Sequence, residues 1–518
     1  MKNLPIGIQT FQKIRDKEKN YIYIDKTELA LNLIDHAGYY FLSRPRRFGK
    51  SLFLDMLKEL FEGNRELFEG LYAYDKWNWE ESYPVIKINF AIGITKDVED
   101  FNQLTLSILK ENQERLGVEP IEEGNARTYF YELIQRVSKK YQTKVVILVD
   151  EYDKPMLDNI TNKKMAKDIR DALRNIYTVI KGSDKYIKFV FLTGVSKFSK
   201  VNLFSELNHL LDISLDERYA TICGYTHEDI QNHFFHHLEG VDLEKFKEWY
   251  NGYNFLGTGV YNPFDVLLFC DSASRKFKSY WFETANPSFL IEILKERDFF
   301  LPDLEAIEVD ESAMSSFDID DIRLEILLFQ TGYLTIKEEK TIFNHRFYTL
   351  TYPNLEVRSA LNSAIFRQYL SDKPIDSQLI FSAIGNKDMK LFENAIHQLF
   401  AMLPYDSYRK NEMQNYEGYY ANVIYAYLAG LGIEFRAEDT TNLGRIDLTI
   451  ATPDMSQVYI IEFKVVENAN REGKALEQIR EKKYHEKYLN RAEEIIIIGI
   501  EFSKEERNVS KFEWERIV

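Results

Sequence analysis

Hydrophobic and polar positions fall into three regimes along the chain. In the first half, short apolar runs alternate with longer amphipathic segments. The runs Tyr39–Ser43, Val85–Phe90, Val145–Val149 and Phe189–Thr193 have strand length. Three of them are apolar at successive positions, as a strand covered on both faces must be. Val85–Phe90 departs from this because Lys87 and Asn89 make one face polar. Helical spacing predicts helices over Ser51–Phe61 and Asn102–Leu116. Strands separated by helix-length segments imply an α/β domain with a largely parallel sheet. From about Thr226 to Asp406 the pattern is mostly helical, with apolar patches at Ile326–Phe329 and Leu391–Leu403. From about Met413 it changes again. A helix over Glu417–Leu431 precedes two alternating strands, a highly charged helix over Gly473–Leu489 and an apolar strand over Ile495–Ile500.

A chain of 518 residues is too long for one ordinary domain. With 45% hydrophobic and 29% charged residues it matches globular averages, which excludes long disorder and fibrous repeats. Lysine and arginine number 66 against 82 acidic residues, a net charge of −16. An acidic chain binds nucleic acid poorly without a local basic surface. Two cysteines, Cys223 and Cys270, cannot build a disulfide framework or a cysteine zinc site, which fits a reducing compartment. Met1–Pro5 has no apolar signal core, and no stretch reaches the ~20 apolar residues of a membrane span. The expectation is a cytoplasmic protein with no membrane partner.

Chemistry enters after the strand Tyr39–Ser43. Arg44-Pro45-Arg46-Arg47-Phe48-Gly49-Lys50-Ser51 lies between that strand and an amphipathic helix. In this context backbone N–H groups face a phosphate, the lysine reaches its outer oxygens and the serine hydroxyl holds Mg²⁺. The full phosphate-loop pattern wants glycine where this chain has Arg44. A second piece is Val145–Val149 followed by Asp150-Glu151, an acidic pair at a strand's carboxyl end. Asp150 suits Mg²⁺ coordination and Glu151 activation of an attacking water. A third is Phe189–Thr193, ending in Thr193 with Ser196 beyond, where a residue sensing the γ-phosphate could sit.

These residues resemble the bacterial AAA-ATPase-like family over roughly 4–285. Asp25-Lys26-Thr27, Asp150–Pro155, Leu192–Ser196, Phe204–Asn208, Trp249–Tyr253 and Tyr261–Phe264 match further. The resemblance implies a P-loop NTPase of the ASCE type with ATP and Mg²⁺ as cofactors. Arg46, Arg47, Phe48, Gly49, Lys50, Ser51, Asp150 and Thr193 would bind the nucleotide, Ser51 and Asp150 on the metal side, with Glu151 catalytic. Arg44 departs from the general pattern but is typical of this family, and leaves the rate of hydrolysis open. Arg46, Arg47 and Arg218 could each touch phosphate.

The C-terminal regime carries a second constellation. In Arg445–Ile450, Asp447 alternates against Ile446, Leu448 and Ile450. In Val458–Val465, Glu462 and Lys464 alternate against Ile461, Phe463 and Val465. The intervening Thr452–Gln457 suits a hairpin that brings Asp447 near Glu462. Two carboxylates and a lysine form a Mg²⁺ site able to bind a scissile phosphate. Glu-x-Lys also occurs at Glu338/Lys340, Glu472/Lys474 and Glu481/Lys483, but there in charged stretches. Glu417 starts an apolar helical stripe, and Gln478 lies in the following helix. His233, His236 and His237 are spaced for one helix face without acidic or cysteine partners, and are set aside.

The set resembles the PD-(D/E)XK nuclease superfamily over roughly 410–500, through Gly444–Leu448, Ile461–Val465, and Ala475–Ile479 with Tyr484. It implies Asp447 and Glu462 as metal ligands, Lys464 as the group positioning water or phosphate, and Glu417 and Gln478 as assisting residues. The expected architecture is an N-terminal P-loop core (1–225) with a helical lid (226–285), a mainly helical linking region (286–404) and a restriction-endonuclease-like α/β domain (405–518). The expected function is an ATPase coupled to a nuclease, in defence or mobile-element processing, on DNA ahead of RNA, with self-association left open. Residues 405–518 carry 16 basic against 21 acidic residues. That balance keeps a second expectation open, a nucleotide-dependent switch or scaffold that binds nucleic acid or protein without cutting.

Overall fold

The apolar runs of the first half pair side by side, because strands buried on both faces can satisfy their backbone only against one another. In the computed structural model, the described residues are 1–36, 38–93, 95–121, 124–197, 209–282, 290–291, 293–294, 299–314, 323–370, 378–403, 417–452, 454–467 and 474–518. Strands β1 (Tyr39–Ser43), β2 (Val85–Asn89), β3 (Val145–Asp150), β4 (Ile187–Gly194) and β5 (Leu211–Asp212) form a parallel sheet in the order β2-β3-β4-β1-β5. Ser43 lies level with Gly194, and Asn89 with Asp150. The carboxyl ends therefore share one edge, where open α/β sheets bind ligands. Helix α1 (Lys50–Phe61) follows the phosphate loop, and α2 (Val98–Arg115) starts earlier than its apolar period. The Asp97 side chain caps α2 by accepting the Asp100 N–H, and its first turn is acidic rather than apolar.

The chain divides into two units, Met1–Phe289 with Ala306–Asn354, and Leu290–Glu305 with Leu355–Val518. The middle stretch is thus shared between them, and it is mostly helical. It also holds a feature that its hydrophobic pattern does not announce, an antiparallel sheet of β6 (Ile307–Asp310), β7 (Thr335–Ile342) and β8 (His345–Thr351), ordered β6-β8-β7. Lys337–Ile342 are exposed on both sides, so no alternation marks the strand. The Phe204–Asn208 match and the boundaries near 285 and 405 fall outside the described residues.

In the second unit, β9 (Phe435–Thr440), β10 (Arg445–Ala451), β11 (Gln457–Val466), β12 (Glu494–Ser503) and β13 (Asn508–Arg516) form a mixed sheet in the order β13-β12-β11-β10-β9. Strands β10 and β11 make the expected antiparallel hairpin, closed by Thr452 N–H donating to the Gln457 carbonyl at 3.0 Å. Strand β12 then joins β11 in parallel over ten residues. Helices α3 (Glu417–Gly430) and α4 (Ala475–Glu481) pack on this sheet. The charged segment is not one helix. It stops at Glu481, Lys483 takes a left-handed φ of 49°, and Tyr484–Lys487 form a separate 3-10 turn. Nor do the three histidines share a face, because their helix ends at His233. No helix among the described residues is long and apolar enough to cross a membrane.

Gly252 in the Trp249–Tyr253 stretch has φ 113°, and a Cβ there would stand 2.0 Å from the Pro353 carbonyl oxygen. Gly252→Ala is expected to cost about 2 kcal/mol or more, through overpacking and backbone strain together. Urea unfolding of the full chain measures it, and an unchanged midpoint would contradict the packing described.

Candidate functional site

The phosphate loop is held from behind. Arg44, which replaces the expected glycine, is 1% exposed and turns away from the loop's open side. Its guanidinium donates to the carbonyls of Ser43 (2.9 Å), Ser214 (2.8 Å) and Tyr219 (3.2 Å), and lies 3.9 Å from the Phe255 ring centre. Burial lowers its pKa to about 10. Phe48 packs edge-on against Tyr253 and Phe255, and its carbonyl accepts from Gly224 N–H. Trp281 donates to the Arg46 carbonyl, and the Arg47 guanidinium lies over Phe264. The Trp249–Tyr253 and Tyr261–Phe264 stretches thus supply loop supports. Arg47 (φ 70°) and Gly49 (φ 93°) are left-handed, which turns the backbone before α1. Lys50 is buried, its ammonium donating to the Arg44 and Pro45 carbonyls at 2.9 and 3.1 Å.

Across the strand ends, Asp150 accepts from the Thr193 hydroxyl at 2.7 Å and from Glu151 N–H at 3.1 Å. Glu151 is left-handed at φ 52°, a strained conformation of the kind found at functional sites. Burial lifts its carboxyl above the ordinary range; Lys50 opposes this, while Asp153 and Asp150 add to it. Ser196 does not face the loop. Its hydroxyl and N–H both donate to buried Asp153 at 2.6 Å, which ties the end of β4 to that of β3. Arg218 is exposed and paired with Asp216 at 2.6 Å. A cavity of about 330 Å³ opens on Arg46, Arg47, Gly49, Lys50, Ser51 and Glu151. Its other walls include Ile8, Ile24, Tyr225, Phe264 and Leu267.

The second unit brings together all five residues singled out there. Phe463 N–H donates to the Asp447 carboxylate at 2.7 Å, bridging β10 and β11 beyond their last ladder pair. Glu462 is 1% exposed; Gln478 donates to its Oε1, and its Oε2 has no partner. Lys464 reaches Glu417 at 3.0 Å and Glu462 at 3.8 Å. Burial raises both the Asp447 and Glu462 carboxyls, and Asp447 pushes Glu462 further up. Two crowded buried acids, one with an orphaned oxygen, suit a hard divalent cation such as Mg²⁺. No cluster of three or more His, Cys, Asp or Glu side chains able to hold a metal occurs among the described residues.

Residues 5–204 match the family described as predicted AAA-ATPase, and residues 415–512 match the PD-(D/E)XK nuclease superfamily. An "uncharacterized protein in vnfD 5'region" of Azotobacter chroococcum mcd 1 is 46% identical over 99% of this chain and 98% of its own. The chain belongs to this AAA-ATPase-like family with a C-terminal PD-(D/E)XK domain. The crystal structure of Cdc6p from Pyrobaculum aerophilum aligns at 10% identity over 71% of this chain and 84% of its own, with a TM-score of 0.24.

Within the family's C-terminal domain, two supports escaped the sequence. Gly499 lies beside Glu462 in the β11–β12 register, and a Cβ there would stand 2.4 Å from the Leu476 nitrogen. Helix α4 therefore rests directly on β12. Buried Glu501 accepts the Ala475 N–H at 3.3 Å at the start of the same helix. Together they set the helix that carries Gln478. Register could have hinted at Glu501, which stands opposite Lys464.

The crowded acids have a pH signature. Their raised pKa values mean that the folded site keeps protons which the unfolded chain releases above about pH 4, so stability falls from there toward neutrality. An amide does not titrate. Asp447→Asn is therefore expected to melt higher than wild type near pH 7 without divalent metal, and to lose that lead near pH 4. A lead independent of pH in thermal melts would contradict the shifts.

Proposed function

We propose that this protein is an ATP-binding and ATP-hydrolysing P-loop enzyme whose C-terminal domain is a Mg²⁺-dependent nuclease gated by nucleotide. The observation that carries the nuclease reading is the meeting of Asp447, Glu462 and Lys464 where β10 and β11 part, with Gln478 and Glu417 each held to one member. Mg²⁺, when bound, supplies Lewis acidity toward the scissile phosphate. Asp447 and Glu462 hold it, Gln478 orients Glu462, and Lys464 positions the water or the phosphate while Glu417 fixes its ammonium.

In the first unit, Lys50 and the Gly49–Ser51 backbone bind the phosphates, with Ser51 and Asp150 toward Mg²⁺. The apolar walls of the cavity suit base and sugar. Glu151 takes the proton of the attacking water, a role its raised carboxyl favours, and Thr193 orients Asp150. Arg46 and Arg47 remain at the open side of the loop for phosphate charge. Arg44 does not, since it is buried and its terminal nitrogens donate to backbone carbonyls.

The acidic balance of residues 405–518 favours a second reading, a nucleotide switch that binds without cutting. Incubating circular DNA, linear DNA, single strands and RNA with Mg²⁺ or Mn²⁺ separates the two. Cleavage is expected in wild type and at least about 100-fold less in Asp447→Ala, with nucleotide binding intact. Cleavage surviving Asp447→Ala, or none in wild type, would contradict the nuclease reading.

A further inference from the structure

A second cavity, of about 220 Å³, opens beside Asp447 and Glu417. One wall comes from far outside the nuclease superfamily match. Phe300 and Pro302 belong to a segment more than a hundred residues upstream that is built into the second unit. Asn422 on α3 fixes it with both halves of its amide, accepting Leu301 N–H at 2.8 Å and donating to the Phe299 carbonyl at 2.9 Å. Further along, Glu305 accepts from the Tyr425 hydroxyl at 2.6 Å and from Arg358 at 2.7 Å. The segment is thus pinned at both ends, and Phe300 lies against Gly418 at the start of α3. Tyr425, Ile424 and Phe463 complete an apolar and aromatic interior.

An apolar cavity of about 150 Å³ already holds benzene, so this one has room for a planar heterocycle. Its polar rim carries three carboxylates: Asp447, Glu417, which is paired with Lys464 at 3.0 Å, and Glu438, which is paired with Arg445 at 3.5 Å. Carboxylate oxygens placed there can accept the exocyclic amino groups of nucleobases, as carboxylates do toward cytosine. Asp447 and Glu417 also belong to the candidate cleavage site, so an occupant would sit one group away from the phosphate served there. We propose that this cavity receives one unstacked, amino-bearing base of the substrate strand, next to the cleaved phosphate, with Phe300 as its stacking wall. This rests on the nuclease reading and deepens it: the substrate is a single strand, or a duplex from which one base is drawn out at a cost in stacking.

The test uses the full-length protein and short single-stranded DNA and RNA with Ca²⁺ in place of Mg²⁺, followed by fluorescence anisotropy. An abasic position is stepped along the strand. One position is expected to weaken binding about tenfold, the size of a lost base–aromatic stack. Phe300→Leu should weaken binding of the intact strand by a similar factor, add nothing to the abasic loss, and be restored by Phe300→Tyr. Phe300→Leu binding like wild type, or losses that multiply, would overturn the proposal. So would a wild type that cuts duplex yet binds no single strand, which leaves the nuclease reading standing. A wild type that neither binds nor cuts any nucleic acid removes both.

Discussion

A buried guanidinium underlies the candidate nucleotide site. Phosphate loops commonly place a glycine after the first strand so that backbone can pass close to the ligand. Here Arg44 stands at that point, and its side chain turns inward beneath the loop. Desolvating a guanidinium is costly unless its donors are met. The carbonyls of Ser214 and Tyr219 from other segments, that of the adjacent Ser43 and the Phe255 ring meet most of this one, and only Nε is left without a partner among the described residues. Because those carbonyls come from Ser43, Ser214 and Tyr219, the loop, the region after β5 and the turn that follows are locked into one arrangement. Phe48 and Trp281 extend the lock to the residues that face the cavity. Lys50 meanwhile spans the loop from within, its ammonium donating to the Arg44 and Pro45 carbonyls.

The second unit obeys the same constraint with opposite sign. Asp447 and Glu462 are held close in a site that resists ionisation, and each neighbour offsets part of the cost. A backbone N–H serves Asp447, an amide serves Glu462, and a lysine held by Glu417 stands beside both. What these neighbours leave without a partner among the described residues is Oε2 of Glu462, an oxygen that a divalent cation would meet and whose ionisation that cation would favour. Electrostatic demand, more than shape, explains why residues from two helices and two strands converge there.

Much of this was legible because local pattern and chemistry coincide. Strands β1, β3 and β4 are continuous apolar runs ending in functional groups, so run and motif point to the same place. The β10–β11 hairpin is legible from alternation and its turn, and Glu417 from the stripe it begins. Strands β7, β9 and β13 were not, because edge and exposed strands carry polar residues on both sides and lose the period of two. Arg44 read as a departure from the general phosphate-loop pattern that is typical of the family, and its inward turn was not legible, since two of its three carbonyl partners lie 170 and 175 residues away. The Phe299–Glu305 segment gave no signal, because the side chains that hold it belong to a helix in another part of the sequence.

In the proposed function the nucleotide site of the first unit governs the nuclease site of the second. The most direct measurement is the cleavage rate of one fixed nucleic-acid substrate in Mg²⁺, with and without ATP, in wild type and Lys50→Ala. The rate is expected to change severalfold with ATP in wild type and to be indifferent to ATP in Lys50→Ala. A wild-type rate that ATP leaves untouched would contradict that coupling.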